Sequence, residues 1–154
     1  ITEGAKHVLG WKSPHYLYNN PLAPNLKLLL RDIALSDDIS LRFNDHSWSG
    51  YPLFADHFVD EIAALPEREE VINIFMELSA LGMAQPLDSN ILEFFKALPD
   101  CATARQIVFA TPSELCTNRK PVDHLSVPDS LSWVDEERDV SPWLGDQSPT
   151  GENI

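Results

Sequence analysis

The chain has 154 residues, 44% of them apolar and 23% charged, a composition that suits one folded domain and not a disordered chain. Its 24 acidic residues outnumber its 11 basic residues, which gives a net charge of −13. Such a surface repels phosphate backbones and anionic lipids, and no apolar run approaches the roughly 20 residues that span a bilayer. We therefore expect neither a nucleic-acid partner nor a membrane partner.

The first forty residues give weak local signals. Residues 1–24 are rich in aromatics and prolines and show no periodicity, which predicts an ordered loop that opens with a strand end. Asn25 can cap a short helical turn that runs to Arg31. Apolar alternation over residues 32–41 favours a strand, although the adjacent Asp37 and Asp38 argue for a break within it.

The pattern then becomes regular. Apolar spacing, caps and prolines predict four elements in order: a helix over residues 51–65, a buried strand over 71–76, a helix that starts at Asp88 or Ser89 and ends at Pro99, and a strand over 106–110. A further helix is expected after the sequence Thr111-Pro112-Ser113-Glu114, which has the form of a capping box with proline in the first helical position.

Helices that alternate with buried strands are typical of parallel βα units. Two or three such units cannot close a barrel, so we expect an α/β fold that is part of a larger domain. Trp133 and Trp143 are expected to serve as packing anchors, and residues 146–154 are expected to form a polar tail.

Few residues suggest chemistry by themselves. Glu77 follows a predicted buried strand, so it is either a general acid against an apolar wall or a solvated residue at a loop start. Asp37 and Asp38 could be paired carboxylates or metal ligands, but neighbours on an extended chain point apart, which favours a loop-capping role. Trp11 and Trp48 fall in predicted loops, where tryptophans either stack on sugar rings or close the end of a core.

The sequence suggests no metal and no cofactor. The five histidines lack paired ligand spacing, and the chain contains neither a glycine-rich phosphate loop nor a nucleophile elbow. Cys101 and Cys116 form no disulfide framework and have no metal-ligand spacing, so we expect a reducing, cytoplasmic compartment.

The segment from Val71 to Gln85 resembles a signature of glycoside hydrolase family 57, the α-amylase-like glycosidases. That signature has the approximate form V-x-N-L-F-M-D-Y-E-T-F-G-E-H-Q-W and is followed by a helix that ends in A-L-P. The residues that match in register are Phe75, Met76, Gly82, Gln85 and Ala97-Leu98-Pro99. Further similar blocks occur in the same order from Thr2 to Gly145, so the resemblance covers nearly the whole chain.

The resemblance implies an incomplete (β/α)₇ barrel of the TIM-like type, to which residues 1–145 would contribute the C-terminal part. It also implies a retaining mechanism on α-glucans, with a glutamate nucleophile and an aspartate acid/base. Glu77 occupies the acid/base position, one methylene longer than aspartate, and Trp11 and Trp48 are candidates for stacking on the sugar. The nucleophile block is expected to lie upstream of Ile1, so the remainder of the barrel is a candidate partner.

The chain departs from the signature around the acid/base position. Ser79, Met83, Ala84 and Pro86 replace Glu, Glu, His and Trp, so packing residues are kept while polar ones are lost. Two hypotheses follow. The chain is either a fragment or divergent member of a retaining α-glucan-active hydrolase that is not competent alone, or a non-catalytic homologue that binds α-glucan or oligosaccharide or serves as a scaffold.

Overall fold

The computed structural model describes residues 1–127. It is a mixed α/β structure with five two-residue strands: β1 (Thr2–Glu3), β2 (Tyr18–Asn19), β3 (Lys27–Leu28), β4 (Leu30–Arg31) and β5 (Asp123–His124). Its α-helices are α1 (Lys6–Leu9), α2 (Ile33–Ser40), α3 (Ala55–Ala63), α4 (Ile91–Ala104) and α5 (Pro112–Asn118). Short 3-10 helices cover Leu78–Ala80 and Leu87–Ser89.

Two small sheets organise the N-terminal part. Strands β1 and β4 pair in parallel, and β2 lies between antiparallel β3 and parallel β5. The run of leucines before Arg31 explains why β3 and β4 form, since Leu29 packs with Leu17 and Val71 whereas Leu30 packs with Leu9 and Tyr18. Successive side chains on opposite faces are the mark of a strand. The helical turn predicted for residues 25–31 is therefore wrong.

The largest core lies between α2, α3 and α4. Phe94 occupies its centre, with edge-to-face contacts to Phe43 at 5.3 Å and to Phe58 at 5.6 Å. The predicted helix over residues 51–65 forms as the shorter α3, and Phe54 is 55% exposed instead of continuing the buried stripe. The helix α4 continues through Pro99 to Ala104, contrary to prediction. Pro99 is exposed, so the carbonyl that it leaves without a donor can face water.

The segment predicted as a strand over residues 32–41 is the helix α2. Asp32 caps it by accepting a hydrogen bond from the backbone N–H of Leu35 at 2.9 Å, and Leu35 and Ile39, one turn apart, are buried together. The acidic pair does not break the helix because each aspartate meets an arginine, as described below. The apolar residues of this segment are spaced both two and four positions apart, so the pattern is compatible with a strand and with a helix.

Both buried strands predicted in the second half are wrong as regular elements within residues 1–127. The segment 71–76 retains one parallel bridge, between Asn73 and Arg31, and residues 106–110 have no regular structure. Phe75, in the first of these segments, is 38% exposed and is therefore not the fully buried strand residue that the prediction requires. The described residues thus contain parallel strands and helices but no complete barrel. The expectations for Trp133, Trp143 and residues 146–154 lie outside the described residues.

Candidate active site

Glu77 lies at the start of a loop. It directly precedes the 3-10 helix Leu78–Ala80, its side chain is exposed, and its Oε2 accepts a hydrogen bond from the Ser79 hydroxyl at 2.9 Å. It also lines a cavity of about 510 Å³, which we call the Glu77 pocket. Glu77 thus has the exposed position at a loop start that one alternative predicts, and it also borders a cavity with apolar lining residues.

The Glu77 pocket has a buried polar base and an exposed apolar rim. Arg31, Asp37 and Ser40 line its base and are each less than a tenth exposed. Leu41 and Met83 stand at the rim, 63% and 81% exposed. A cavity of this size, with a few polar groups in apolar walls, is within the range of small-molecule sites.

The base is organised by one buried arginine. Arg31 reaches Asp37 Oδ1 through Nη2 at 2.6 Å and Glu3 Oε2 through Nη1 at 3.5 Å, and we call these three residues the Arg31 cluster. Its Nε donates to the carbonyl oxygen of Phe75 at 2.6 Å. The cluster therefore fixes the backbone two residues before Glu77, because a buried guanidinium needs all its donors satisfied.

The backbone before Glu77 is held at two further points. Asn73 donates from its side chain to the carbonyl of Leu30 at 2.9 Å and accepts at its own carbonyl from the N–H of Asp32 at 2.9 Å. The N–H of Phe75 donates to the Ser36 hydroxyl at 3.2 Å. These contacts align the segment with β4 and set where the chain leaves it, at residue 77.

The loop after Glu77 is closed by Gly82 and Gln85. Gly82 adopts a φ of 98°, a backbone conformation that favours glycine, and its N–H donates to the Gln85 carbonyl at 2.8 Å. The buried Gln85 side chain donates to the carbonyl of Ser40 at 3.0 Å, which ties the loop to the end of α2. Both residues match the family signature, and the structure gives each of them a backbone role.

A second buried charged group lies beside α2. The ring of His15 stands between two carboxylates, with Nε2 at 2.5 Å from Asp32 Oδ2 and Nδ1 against Glu69, and we call this the His15 cluster. Burial alone would lower the pKa of His15, but the hydrogen bonds to Asp32 and Glu69 outweigh it and raise that pKa. Burial is the largest single influence on the pKa of Asp32 and would raise it, but the hydrogen bonds from His15 and from the backbone N–H of Leu35, together with the charge of His15, lower that pKa. The ring of His15 therefore joins the loop at residue 15, the cap of α2 and the turn at residue 69.

Asp37 and Asp38 do not have the predicted loop-capping role. Both are buried on α2, where Asp37 belongs to the Arg31 cluster and Asp38 pairs with Arg42 one turn later. Burial raises the pKa of Asp38 even though Arg42 acts to lower it. Each carboxylate forms an ion pair with an arginine of the fold, so the two aspartates do not act together as a catalytic carboxylate pair.

The two candidate stacking tryptophans occupy different environments. Trp11 is 89% exposed, just after α1, whereas Trp48 is partly buried against the α2–α3–α4 core with the Arg42 guanidinium 5.5 Å from its ring. Within residues 1–127, no group of three potential metal ligands comes together. In the same part of the chain, every helix is too short or too polar to cross a bilayer.

Sequence reasoning found Glu77 but missed the residues that support it. Arg31, Glu3 and His15 carry no local signature, since their partners lie between 6 and 54 positions away. Asp32 did carry a signal: an aspartate three residues before Leu35 fits a helix cap.

Comparison with known proteins places the chain in a family. The family model for Glycosyl hydrolase family 57 matches residues 1–128. A protein of Methanocaldococcus jannaschii named "Putative alpha-amylase" is 40% identical over 150 residues, which cover 96% of this chain and 31% of that protein. The chain thus spans about a third of the length of this curated relative. No solved structure matches the chain.

The matched region includes β4, α2, the Glu77 pocket and the loop closed by Gly82 and Gln85. The chain belongs to glycoside hydrolase family 57.

Proposed function

We propose that this chain is the part of a retaining, α-glucan-active glycoside hydrolase that carries the acid/base residue, and that Glu77 is that residue. One observation carries the proposal: the carboxylate in the matching position borders a cavity of about 510 Å³, and the Arg31 cluster anchors the backbone just before it. In this role Glu77 protonates the leaving glycosidic oxygen and then takes a proton from the attacking water.

A retaining mechanism needs a second carboxylate about 5 to 5.5 Å from the first. Asp37 is the other carboxylate that lines the described pocket, and Arg31 holds it. We propose that the nucleophile comes from the remainder of the protein, since the chain aligns with 31% of its relative. The chain alone is then not catalytic.

We propose further that residues 1–145 form the C-terminal part of a TIM-like barrel. Two observations support this proposal. Strands β1 and β4 pair in parallel, and a parallel bridge joins Arg31 of β4 to Asn73, so three chain segments lie side by side and run in the same direction. The exposed apolar side chains of Leu41 and Met83 then face the remainder of the barrel or its substrate.

Trp11 and Trp48 are the proposed sugar-stacking residues of this part. The exposure of Trp11 leaves its ring open to a ligand. The Trp48 ring offers less surface, because it packs against the α2–α3–α4 core and has the Arg42 guanidinium 5.5 Å from its centre.

A non-catalytic glucan-binding homologue is the second candidate. The replacement of the polar signature residues by Met83 and Ala84 favours it, because fewer polar side chains are then present to orient the acid for proton transfer.

The test uses the 154-residue chain with soluble starch. We expect retarded migration in a starch-containing gel and no release of reducing sugar, since one carboxylate cannot complete the retaining cycle. If the unaltered chain releases reducing sugar and the Glu77→Ala variant does not, the proposal that the isolated chain is inactive is wrong. Unretarded migration would overturn the glucan-binding property on which both candidates depend.

A further inference from the structure

A second cavity, away from Glu77, lies between the segment before α3 and the start of α4. It has a volume of about 430 Å³, and we call it the aromatic groove. Its floor is the buried pair Phe43 and Phe94, and its two sides differ in chemistry. Tyr51 and Phe54 form one side, while Ser89, Asn90 and Glu93 form the other.

The aromatic side is exposed and braced. Tyr51 is 36% exposed and Phe54 is 55% exposed, so both rings present surface to a ligand. The His46 ring stacks on Tyr51 at 4.2 Å with an interplanar angle of 23°, and His57 meets Phe54 edge-on at 5.7 Å. Aromatic rings that are held by neighbours offer contact area at low entropic cost.

The polar side offers one side-chain amide that does not cap the helix it precedes. Asn90 stands at the cap position of α4 with a φ of 65°, and in the described structure its side chain makes no capping bond to the helix. The side chain of an asparagine at the start of a helix normally accepts a hydrogen bond from a backbone N–H of the first turn. The Asn90 amide therefore remains available to a ligand, whereas the neighbouring Ser89 hydroxyl already donates to the carbonyl of Pro86 at 2.5 Å.

Charge restricts the ligand class. The chain carries a net charge of −13, which disfavours an anion, and Glu93 is paired with Lys96 at 2.5 Å, so the groove presents no isolated carboxylate to attract a cation. A neutral ligand with an apolar face and a hydroxylated edge fits both sides. Sugar rings have this chemistry, because their axial C–H groups form an apolar face and their hydroxyls lie at the edge.

We propose that the aromatic groove is a second carbohydrate-binding subsite, in which a neutral oligosaccharide stacks on Tyr51 and Phe54 and hydrogen-bonds to Asn90. It is separate from the Glu77 pocket, with which it shares no lining residue in the described chain. The inference rests on the proposed function for the choice of an α-glucan as the ligand. Its role is to hold a chain segment, since it contains no carboxylate pair for cleavage.

The test is a titration of the ¹⁵N-labelled 154-residue chain with maltoheptaose, followed by backbone amide shifts. We expect shifts at residues 51–55 and 89–97. Phe54→Ala is expected to weaken this response at least about tenfold, because it removes most of one exposed ring from the contact. Phe109→Ala is the matched control, since Phe109 is 64% exposed outside the groove, and it should change nothing.

A second variant separates the polar contact from folding. Asn90→Gly keeps the positive φ and removes the amide, and we expect weaker binding with an unchanged thermal midpoint. Shifts confined to residues 75–84 would overturn the groove while leaving the proposed function intact. An absence of shifts at residues 51–55 and 89–97, or equal binding by Phe54→Ala and the unaltered chain, would also overturn it.

Discussion

The base and the rim of the Glu77 pocket are built on opposite principles. At the base, Arg31 and Asp37 are buried charges whose donors and acceptors meet one another and the Phe75 carbonyl. At the rim, Leu41 and Met83 are apolar and largely exposed. Buried charges are costly to change singly, whereas exposed side chains are not. The comparison teaches that substitutions at the base of the pocket should destabilise the fold, whereas substitutions at its rim should be tolerated.

The strongest test of this contrast is the variant Arg31→Met. We expect it to lower the free energy of unfolding by about 3–5 kcal/mol, because it removes the buried guanidinium that pairs with the Asp37 and Glu3 carboxylates. Urea unfolding measures the change. Arg105→Met is the control, since its pair with Asp60 is about half exposed and should be worth less than about 1 kcal/mol. An equal loss of unfolding free energy in the two variants would show that the buried base of the pocket is no more sensitive to substitution than the surface.

The loop after Glu77 contains a matched pair of smaller effect. Gln85→Ala should cost about 1–3 kcal/mol, because the buried amide that holds the Ser40 carbonyl is lost. Met83→Ala, two residues earlier on the same loop, should stay within about 0.5 kcal/mol because Met83 is exposed. Thermal unfolding of both variants measures this difference, and a larger loss for Met83→Ala would show that the rim is structural.

The His15 cluster extends the contrast to pH. The pKa of folded His15 is raised above its ordinary value of about 6.5, so its stabilising effect is complete below that pH and is lost as pH rises through the folded pKa. The pKa of Asp32 is lowered below its ordinary value of about 3.9, so its contribution is present above that pH and is lost as pH falls through the folded pKa. We therefore expect greatest stability from this cluster between these two ordinary values.

Melting temperatures measured across that range and into alkaline solution test the linkage. His15→Gln should reduce the decline on the alkaline side, because the group that loses its proton there is gone. The control His7→Gln changes an exposed histidine on α1 and should leave the profile unchanged. A His15→Gln profile with the same alkaline decline would assign that decline to other groups.

Elements with local signals were predicted well. The capping box at Thr111 is confirmed, with Thr111 and Glu114 each bonded to the other's backbone N–H. The helix α3 also lies within its predicted range, because its inward residues recur with a helical period. In both cases the residues that determine the structure are a few positions apart in sequence.

Elements that depend on distant partners were not predicted. The helix α2 is predicted as a strand because the ion pair that accommodates the buried Asp37 involves Arg31, which lies on another element. The segment 71–76 is bonded to β4 and α2 mainly through side chains, and apolar content cannot show that. For the site, the family signature led to Glu77, but the Arg31 cluster depends on three residues that only the folded chain brings together.

The central claim is that Glu77 acts as acid/base once the rest of the barrel is present. The direct measurement is release of reducing sugar from maltoheptaose by this chain joined to the remaining two-thirds of its Methanocaldococcus jannaschii relative. We predict turnover that falls by on the order of 100-fold or more in Glu77→Gln, with thermal unfolding unchanged, because the amide cannot transfer the proton. Equal turnover by Glu77→Gln and the unaltered joined protein would contradict the account.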